Sequence, residues 1–158
     1  MQPARPRARI DGAPAASRPV TNQGPALPEA LLSLARRGPF IVELAAGNRF
    51  AAALQFAHAV PGLKVRVTDV APKVREAPPP LEAHLDDLWE PNLDLYRGAA
   101  LLYAIRIPEE LQAPAARLAR TVGAPLALLP LKDEWADLTP LLGAARLLPG
   151  GWRLHGAP

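Results

Sequence analysis

Between residues 38 and 131, short apolar runs rich in β-branched residues alternate with segments of helical spacing, and this alternation limits the possible folds. Helical spacing occurs at 50–57 and 108–122, and the runs that predict strands are 40–44, 64–70, 81–85, 99–105 and 125–130. Strands that alternate with helices in this way form βαβ units with right-handed crossovers. The pattern therefore predicts an α/β fold, a three-layer Rossmann-like domain around a mostly parallel sheet.

The end of the chain carries a different pattern. Pro149-Gly150-Gly151 lies between two short apolar runs within 145–155, and such a turn sequence is typical of neighbouring antiparallel strands. Both a hairpin and a single added antiparallel edge strand are compatible with this pattern. With this segment at its edge, we expect a truncated form of the Rossmann-like fold.

The start of the chain has no periodicity of either kind. Residues 1–26 contain five prolines and four arginines, which predicts a disordered basic tail ahead of a single Rossmann-like domain at 27–158. A basic tail can bind nucleic acid, but here that hypothesis rests on composition alone. The formal net charge of the whole chain is only +3, which does not by itself indicate a nucleic-acid partner.

Several functional classes lack their required residues. Without cysteine, the chain has no disulfides, no thiolate metal ligands and no cysteine nucleophile. The three histidines, His58, His84 and His155, show no metal-ligand spacing, so no metal site is expected. The G-x-S-x-G motif of serine hydrolases is also absent. No apolar run reaches the 18 residues typical of a membrane span, and we expect a cytoplasmic protein without a membrane partner.

Polar residues follow the predicted strands at the edge where open α/β sheets bind their ligands. At these carboxyl ends stand Glu43 with the loop Ala45, Ala46, Gly47, Asn48 and Arg49 after the first strand, Asp69 after the second, Asp86 and Asp87 after the third, and Tyr103 to Arg106 at the fourth. These residues are the candidates for the binding site.

Gly47 is the only glycine of the first loop, and this limits the ligand. The dinucleotide motif G-x-G-x-x-G and the phosphate-binding motif G-x-x-x-x-G-K-[ST] are both absent, which disfavours a pyrophosphate. A phosphate-free adenosyl ligand such as S-adenosylmethionine (SAM) suits the site better.

Each part of SAM has a candidate partner in the sequence. Asp69 is placed to accept the ribose hydroxyls, and Asp86, with Asp87 as second choice, to accept the adenine amino group. Glu43 could face the ammonium or sulfonium charge, and the backbone N–H groups of Asn48 and Arg49 could hold the carboxylate.

Structural roles are open for the same residues. Asp69 could cap the following turn, and one of Asp86 and Asp87 could cap a helix before Leu88. Arg106 could point into the cleft on the substrate side, or pair with Glu109 and Glu110 on the surface. Tyr103 could also lie on the substrate side, or pack in the core with a bonded hydroxyl.

Several segments together resemble a known family. They are 42–50 with Gly47-Asn48-Arg49-Phe50, 67–70, 86–88, 91–99, and 103–112 with the pattern Y-x-I-R-x-P-x-E-L. Over residues 38–131 the chain resembles a short, functionally uncharacterised Rossmann-like family, best represented in archaea and related to class I SAM-dependent methyltransferases. The resemblance implies the methyltransferase fold and SAM as the cofactor, without a known reaction.

Two positions depart from methyltransferase patterns. Ala45 stands where the family tends to have glycine in E-x-G-x-G, and its methyl group narrows the space for the methionine portion of SAM. The segment 103–106 replaces the D/N-P-P-Y type motif of amino-methylating enzymes, so the methyl acceptor is unknown. The hypothesis is a SAM-dependent methyltransferase-like protein. The alternative is a non-catalytic, degenerate Rossmann module that binds a nucleotide or a protein or nucleic-acid partner.

Overall fold

A computed structural model describes residues 24–156. The predicted tail therefore lies outside the described residues up to position 23, as do residues 157 and 158. Gly24, Pro25 and Ala26 are described, and they contact the domain: the backbone oxygen of Ala26 accepts a hydrogen bond of 3.2 Å from the indole Nε1 of Trp152. These three residues of the predicted tail thus pack against the folded part.

The described chain contains seven strands and four α-helices. The strands are β1 (Phe40–Glu43), β2 (Lys64–Asp69), β3 (Glu82–Leu85), β4 (Leu102–Ile107), β5 (Leu126–Pro130), β6 (Arg146–Leu147) and β7 (Arg153–His155). The helices are α1 (Glu29–Ala35), α2 (Ala51–Ala59), α3 (Glu109–Val122) and α4 (Thr139–Leu142), and short 3₁₀ turns lie at Pro72–Glu76, Leu93–Leu95 and Pro149–Gly151.

One sheet contains all seven strands in the order β3-β2-β1-β4-β5-β7-β6. The first five strands are parallel, and β7 runs antiparallel to both β5 and β6. The predicted α/β class and mostly parallel sheet are confirmed. The hairpin and the antiparallel edge strand that were predicted for the C-terminal segment are both present, because β6 and β7 form an antiparallel pair at the edge of the sheet. The fold is truncated in its helices rather than in its sheet, because only 3₁₀ turns connect β2 to β3 and β3 to β4.

Alternation along β1 divides the core into two layers. Ile41 faces α1 and α2 in one cluster, while Phe40 and Val42 face α3 in the other. Trp152 is fully buried in the first cluster, which anchors the C-terminal strand pair to the same layer. Burial of apolar surface on both faces gives the three-layer arrangement that the sequence predicts.

The fourth strand differs from its predicted bounds by two residues or more at each end. It begins at Leu102 rather than residue 99, because Ala99 and Leu101 are buried without belonging to the strand. It ends at Ile107 rather than residue 105, because a bulge at Arg106 lets pairing with β5 resume. An apolar run in the sequence indicates which residues are buried, and buried residues continue beyond those that pair in the sheet.

The sheet order places one point of reversal between β1 and β4. The chain moves outward from β1 through β2 to β3, and then crosses to β4 on the other side of β1. The connections after β1 and β4 therefore leave the sheet on opposite faces. In open α/β sheets this is where a crevice for a ligand forms.

Candidate functional site

A cavity of about 860 Å³ opens at this point of reversal. Its walls come from the end of β1, the loop after it, the start of α2, and the ends of β4 and β5. The lining residues are Gly24, Pro25, Glu43, Ala45, Ala46, Gly47, Asn48, Arg49, Phe50, Ala51, Ala52, Ile105, Arg106, Leu129 and Leu131. The volume lies within the range of small-molecule sites.

Glu43 is the buried acid of this cavity. It lies beside Tyr103 in the pairing of β1 with β4, and the Tyr103 hydroxyl donates a hydrogen bond of 2.8 Å to its Oε1. Burial raises the pKa of Glu43 to about 8, although the bond from Tyr103 opposes the shift. Glu43 is therefore mostly protonated at neutral pH, and its carboxyl group offers the cavity a hydrogen-bond donor rather than the negative charge that the sequence suggested.

Tyr103 holds Glu43 through this hydrogen bond but does not itself line the cavity. It is fully buried, its ring lies 4.9 Å from the ring of Phe56, and burial together with the neighbouring Glu43 raises its pKa well above 10. The structure thus gives Tyr103 the core-packing role with a bonded hydroxyl, one of the two roles that the sequence left open.

The loop after β1 is fastened to the end of β2. Asp69 accepts a hydrogen bond of 2.7 Å from the backbone N–H of Gly47, and the N–H of Ala46 donates to the backbone oxygen of Thr68 at 3.0 Å. Ala45 and Gly47 both have left-handed backbones, with φ of 53° and 60°. For an alanine this conformation costs about 1 kcal/mol, which is why glycine suits position 45.

Asp69 also caps the turn that follows it. Its second oxygen accepts a hydrogen bond of 2.8 Å from the N–H of Ala71, so both oxygens already have one backbone donor. The turn-capping role is therefore present, and Asp69 is not among the residues that line the cavity. A carboxylate has about four acceptor positions, which leaves capacity for ribose hydroxyls.

One of the two backbone donors predicted in the first loop is already occupied. The N–H of Arg49 is not free, because it donates to the backbone oxygen of Ala46 at 3.2 Å. Further open donors lie two residues after Arg49, at the start of α2, where Phe50 supplies no side-chain cap and Ala51 and Ala52 line the cavity. The side chains of Asn48 and Arg49 are exposed at the cavity wall.

The two acids after β3 organise the next loop. Asp86 accepts hydrogen bonds from the N–H of Asn92 at 2.9 Å and from the hydroxyl of Tyr96 at 2.5 Å. Burial and the bond to Asp86 raise the pKa of Tyr96 well above its usual value. Asp87 accepts from the N–H of Trp89 at 2.9 Å, in a turn rather than at a helix start. Asp86 is half-buried and Asp87 is exposed.

Arg106 lies on the β4 side of the cavity. The surface pairing with Glu109 or Glu110 that the sequence left open is not seen among the ion pairs of residues 24–156. The exposed side chain stands at the bulge between Ile105 and Ile107, where φ is 58°.

The sequence did not indicate part of the cavity wall. Leu129 pairs with Ile105 in the β4–β5 ladder, and its position near a strand end is the signal that could have identified it. Gly24 and Pro25 carry no such signal. Gln112 was also missed: it is fully buried in α3, donates to the oxygen of Glu134 at 2.6 Å and accepts from the N–H of Ala136 at 2.9 Å.

Comparison with known proteins identifies the family. The model of a family described as Uncharacterised protein family (UPF0146) matches residues 26–140. The chain belongs to this family. The match includes the cavity-lining residues from Glu43 to Leu131, and it confirms the resemblance found in the sequence.

Archaeal members of UPF0146 are similar to the chain over shorter stretches. A UPF0146 protein of Archaeoglobus fulgidus is 37% identical over 76 residues, which are 48% of this chain and 57% of the relative. A UPF0146 protein of Methanothermobacter thermautotrophicus is 47% identical over 49 residues, 31% of this chain and 37% of the relative. The chain thus spans between about a third and somewhat over half of these relatives.

Methyltransferases are among the solved structures that are similar to this UPF0146 chain. The crystal structure of the antibiotic-resistance methyltransferase Kmr has a TM-score of 0.56 at 14% identity, covering 90% of this chain and 96% of that one. An S-adenosyl-L-methionine methyltransferase from Silicibacter pomeroyi DSS-3 has a TM-score of 0.53 at 19% identity, with 82% and 88% covered. At such identities the similarity shows the fold alone, which is Rossmann-like and methyltransferase-like.

Two further findings concern other classes of site. Among residues 24–156 of the UPF0146 chain, no group of three or more His, Asp or Glu side chains could hold a metal ion. Within the same residues, no helix has the length and apolar character that crossing a membrane requires.

Proposed function

We propose that the chain binds SAM or a closely related adenosyl ligand at the carboxyl ends of β1, β2 and β4. The observation that carries this proposal is that one residue, Gly47, connects the cavity to Asp69. Gly47 lines the cavity, and its N–H is bound by Asp69 at the end of β2. A ligand with a ribose at Asp69 and an amino-acid end in the cavity would span these two features without needing a phosphate site.

The surface beside Asp69 supports an aromatic base there. Val70 follows Asp69 and is 63% exposed, and Leu85, which pairs with Asp69 across β2 and β3, is 38% exposed. Only four large apolar side chains are this exposed among residues 24–156, and two of them flank this acid. An adenine ring would cover both, with Asp86 near the same strand end to accept a hydrogen bond from its amino group.

The cavity fits the amino-acid end. The N-terminus of α2 presents open backbone donors at Ala51 and Ala52, and the guanidinium of Arg49 lines the same wall. Both features favour a carboxylate. Protonated Glu43 adds a hydrogen-bond donor at the floor.

When bound, SAM supplies an electrophilic methyl group. Methyl transfer depends on alignment of acceptor and sulfonium more than on acid–base chemistry. The residues of this chain would contribute by orientation: Tyr103 fixes Glu43, and Asp69 fixes the loop at Gly47. The second candidate function is a non-catalytic module that binds a nucleotide or a partner. The residue that favours it is Ala45. Its methyl group lies in the cavity wall, and its backbone has a conformation that glycine adopts more readily.

Calorimetric titration with S-adenosylhomocysteine tests the proposal. We expect Asp69→Ala to weaken binding about 10–100-fold, because hydrogen bonds to a charged acceptor contribute about 1.5–3 kcal/mol each. Asp137→Ala is the matched control, since Asp137 also caps a turn, at Thr139, and lies outside the cavity wall.

A second comparison separates a ribose contact from a loop contact. Wild-type protein should prefer adenosine to 3′-deoxyadenosine, and Asp69→Ala should lose that preference if the carboxylate accepts the ribose hydroxyls. Absence of binding by SAM, S-adenosylhomocysteine and adenosine at millimolar concentration would refute the proposal.

Ala45→Gly tests whether the methyl group restricts the site. We expect affinity for S-adenosylhomocysteine to rise about tenfold, the effect of roughly one methyl group in a ligand pocket. Stability should change by no more than about 1 kcal/mol, because relief of the left-handed strain offsets the greater flexibility of glycine in the unfolded chain. Ala77→Gly is the control, since Ala77 also lies in a loop, has an ordinary φ of −58°, does not line the cavity and should gain no affinity. Equal affinities for both variants would place the ligand away from position 45.

A further inference from the structure

Three non-glycine residues in the described chain have left-handed backbones, and each stands at the carboxyl end of a central strand. They are Ala45 after β1, Arg106 near the end of β4 and Lys132 after β5. Such conformations persist only where the surrounding structure enforces them, and they cluster at binding and catalytic sites. Two of the three carry a cationic side chain at the edge where the cavity opens.

The bulge at Arg106 determines which side chains reach the cavity. Pairing between β4 and β5 shifts between Ile105 and Ile107, which leaves Arg106 as the extra residue of β4. Ile107 is buried in the core, while Ile105 and Arg106, although adjacent in sequence, both line the cavity. Regular alternation along the strand would place these two neighbours on opposite faces, so the bulge is what brings the guanidinium to the ligand side.

The ionisable groups of the cavity wall are Glu43, Arg49 and Arg106. Glu43 is engaged by Tyr103, and burial favours its neutral form. Neither arginine takes part in an ion pair within residues 24–156. The wall is therefore positively charged at neutral pH, with one guanidinium on the loop after β1 and another on β4. Planar guanidinium groups bind carboxylates and phosphates in a bidentate manner.

We propose that Arg106 is the anion-binding residue for a second ligand, and that this ligand carries a carboxylate or a phosphate group. Arg49 and the start of α2 serve the carboxylate of the adenosyl ligand, which leaves the guanidinium of Arg106 for the other occupant of the cavity. Identification of that occupant as the methyl acceptor rests on the proposed function, whereas the anion site itself does not. The acceptor class is thus a small anionic molecule.

Titration of the full chain with inorganic phosphate and, separately, with acetate tests this site at constant ionic strength. We expect at least one of these anions to bind wild-type protein, and Arg106→Gln to weaken that binding about tenfold or more, the scale of a lost charge-assisted contact. The anion that binds more tightly identifies the group on the second ligand. Arg120→Gln is the matched control, because Arg120 is an exposed arginine at the far end of α3.

Arg106→Lys keeps the positive charge at the same backbone position and should bind the anion more tightly than Arg106→Gln. The titrations are repeated with saturating S-adenosylhomocysteine. Binding that persists there supports a separate site, while competition would assign Arg106 to the adenosyl ligand and overturn the inference. Equal binding by wild type and Arg106→Gln, or no binding of either anion, would also overturn it. If S-adenosylhomocysteine itself does not bind but the Arg106-dependent anion does, the proposed function fails and the anion site stands.

Discussion

Glu43→Gln is expected to make the protein more stable than wild type at pH 8 and equally stable at pH 4. The folded-state pKa of Glu43 is about 8, against 4.5 for the exposed side chain. Below pH 4.5 both states of the wild type are protonated, and the stabilising effect of the raised pKa is complete. Between pH 4.5 and 8 only the unfolded state loses the proton, so the free energy of unfolding falls as the pH rises.

The size of this effect follows from the pKa difference. One pKa unit corresponds to 1.36 kcal/mol, so the loss by pH 8 amounts to roughly 4–5 kcal/mol as an upper value. Glutamine carries no proton to lose, and its Oε1 can still accept the hydrogen bond from Tyr103. The difference between variant and wild type isolates Glu43 from all other titrating groups.

Urea unfolding at pH 4, 6, 7 and 8 measures the difference. Glu82→Gln gives a control of opposite sign. Partial burial raises the pKa of Glu82, but bonds from Arg66 and Lys64 outweigh it and lower the pKa below 4.5. Stability from Glu82 is present above pH 4.5 and is lost as the pH falls, so this variant should be less stable than wild type at pH 7. Parallel pH curves for Glu43→Gln and wild type would contradict the burial of an uncharged acid in the cavity.

Gln112→Leu is expected to destabilise the fold by about 2–4 kcal/mol, because it leaves buried polar groups without partners. The side chain of Gln112 is fully buried and holds the loop after β5 through the oxygen of Glu134 and the N–H of Ala136. Leucine matches the volume but offers neither donor nor acceptor. The same loop begins at Leu131, which lines the cavity, so its release should also weaken ligand binding.

Hydrogen exchange and urea unfolding together measure this effect. Exchange should accelerate mainly at residues 131–138, with a smaller change elsewhere. Gln55→Leu is the control, since Gln55 lies half-buried on α2 and the structure describes no hydrogen bond of its side chain within residues 24–156. A uniform loss of protection over the whole domain would show that Gln112 supports the global fold rather than this loop.

The candidate site shows where local pattern stops being informative. The sequence located Glu43 and Asp69 at strand ends, and the structure places both at the ligand edge of the sheet. It did not predict that Glu43 would be neutral at pH 7, because that follows from burial by residues that the fold brings together from distant positions. It also assigned a free N–H to Arg49, whereas the turn from Ala46 occupies that donor.

Hydrophobic periodicity determined the elements of this fold, since the repeat of a strand or helix is local and each buried face must be apolar. The α/β class and the five parallel strands follow from it, and the turn sequence Pro149-Gly150-Gly151 adds the C-terminal antiparallel segment. Tertiary structure alone decided the partners and charge states of the polar groups, because these depend on burial and on residues brought together from distant positions. Gln112 lay inside a recognised motif and Arg106 was a candidate, yet only the packed chain shows a loop held by Gln112 and a bulge that brings Arg106 to the cavity.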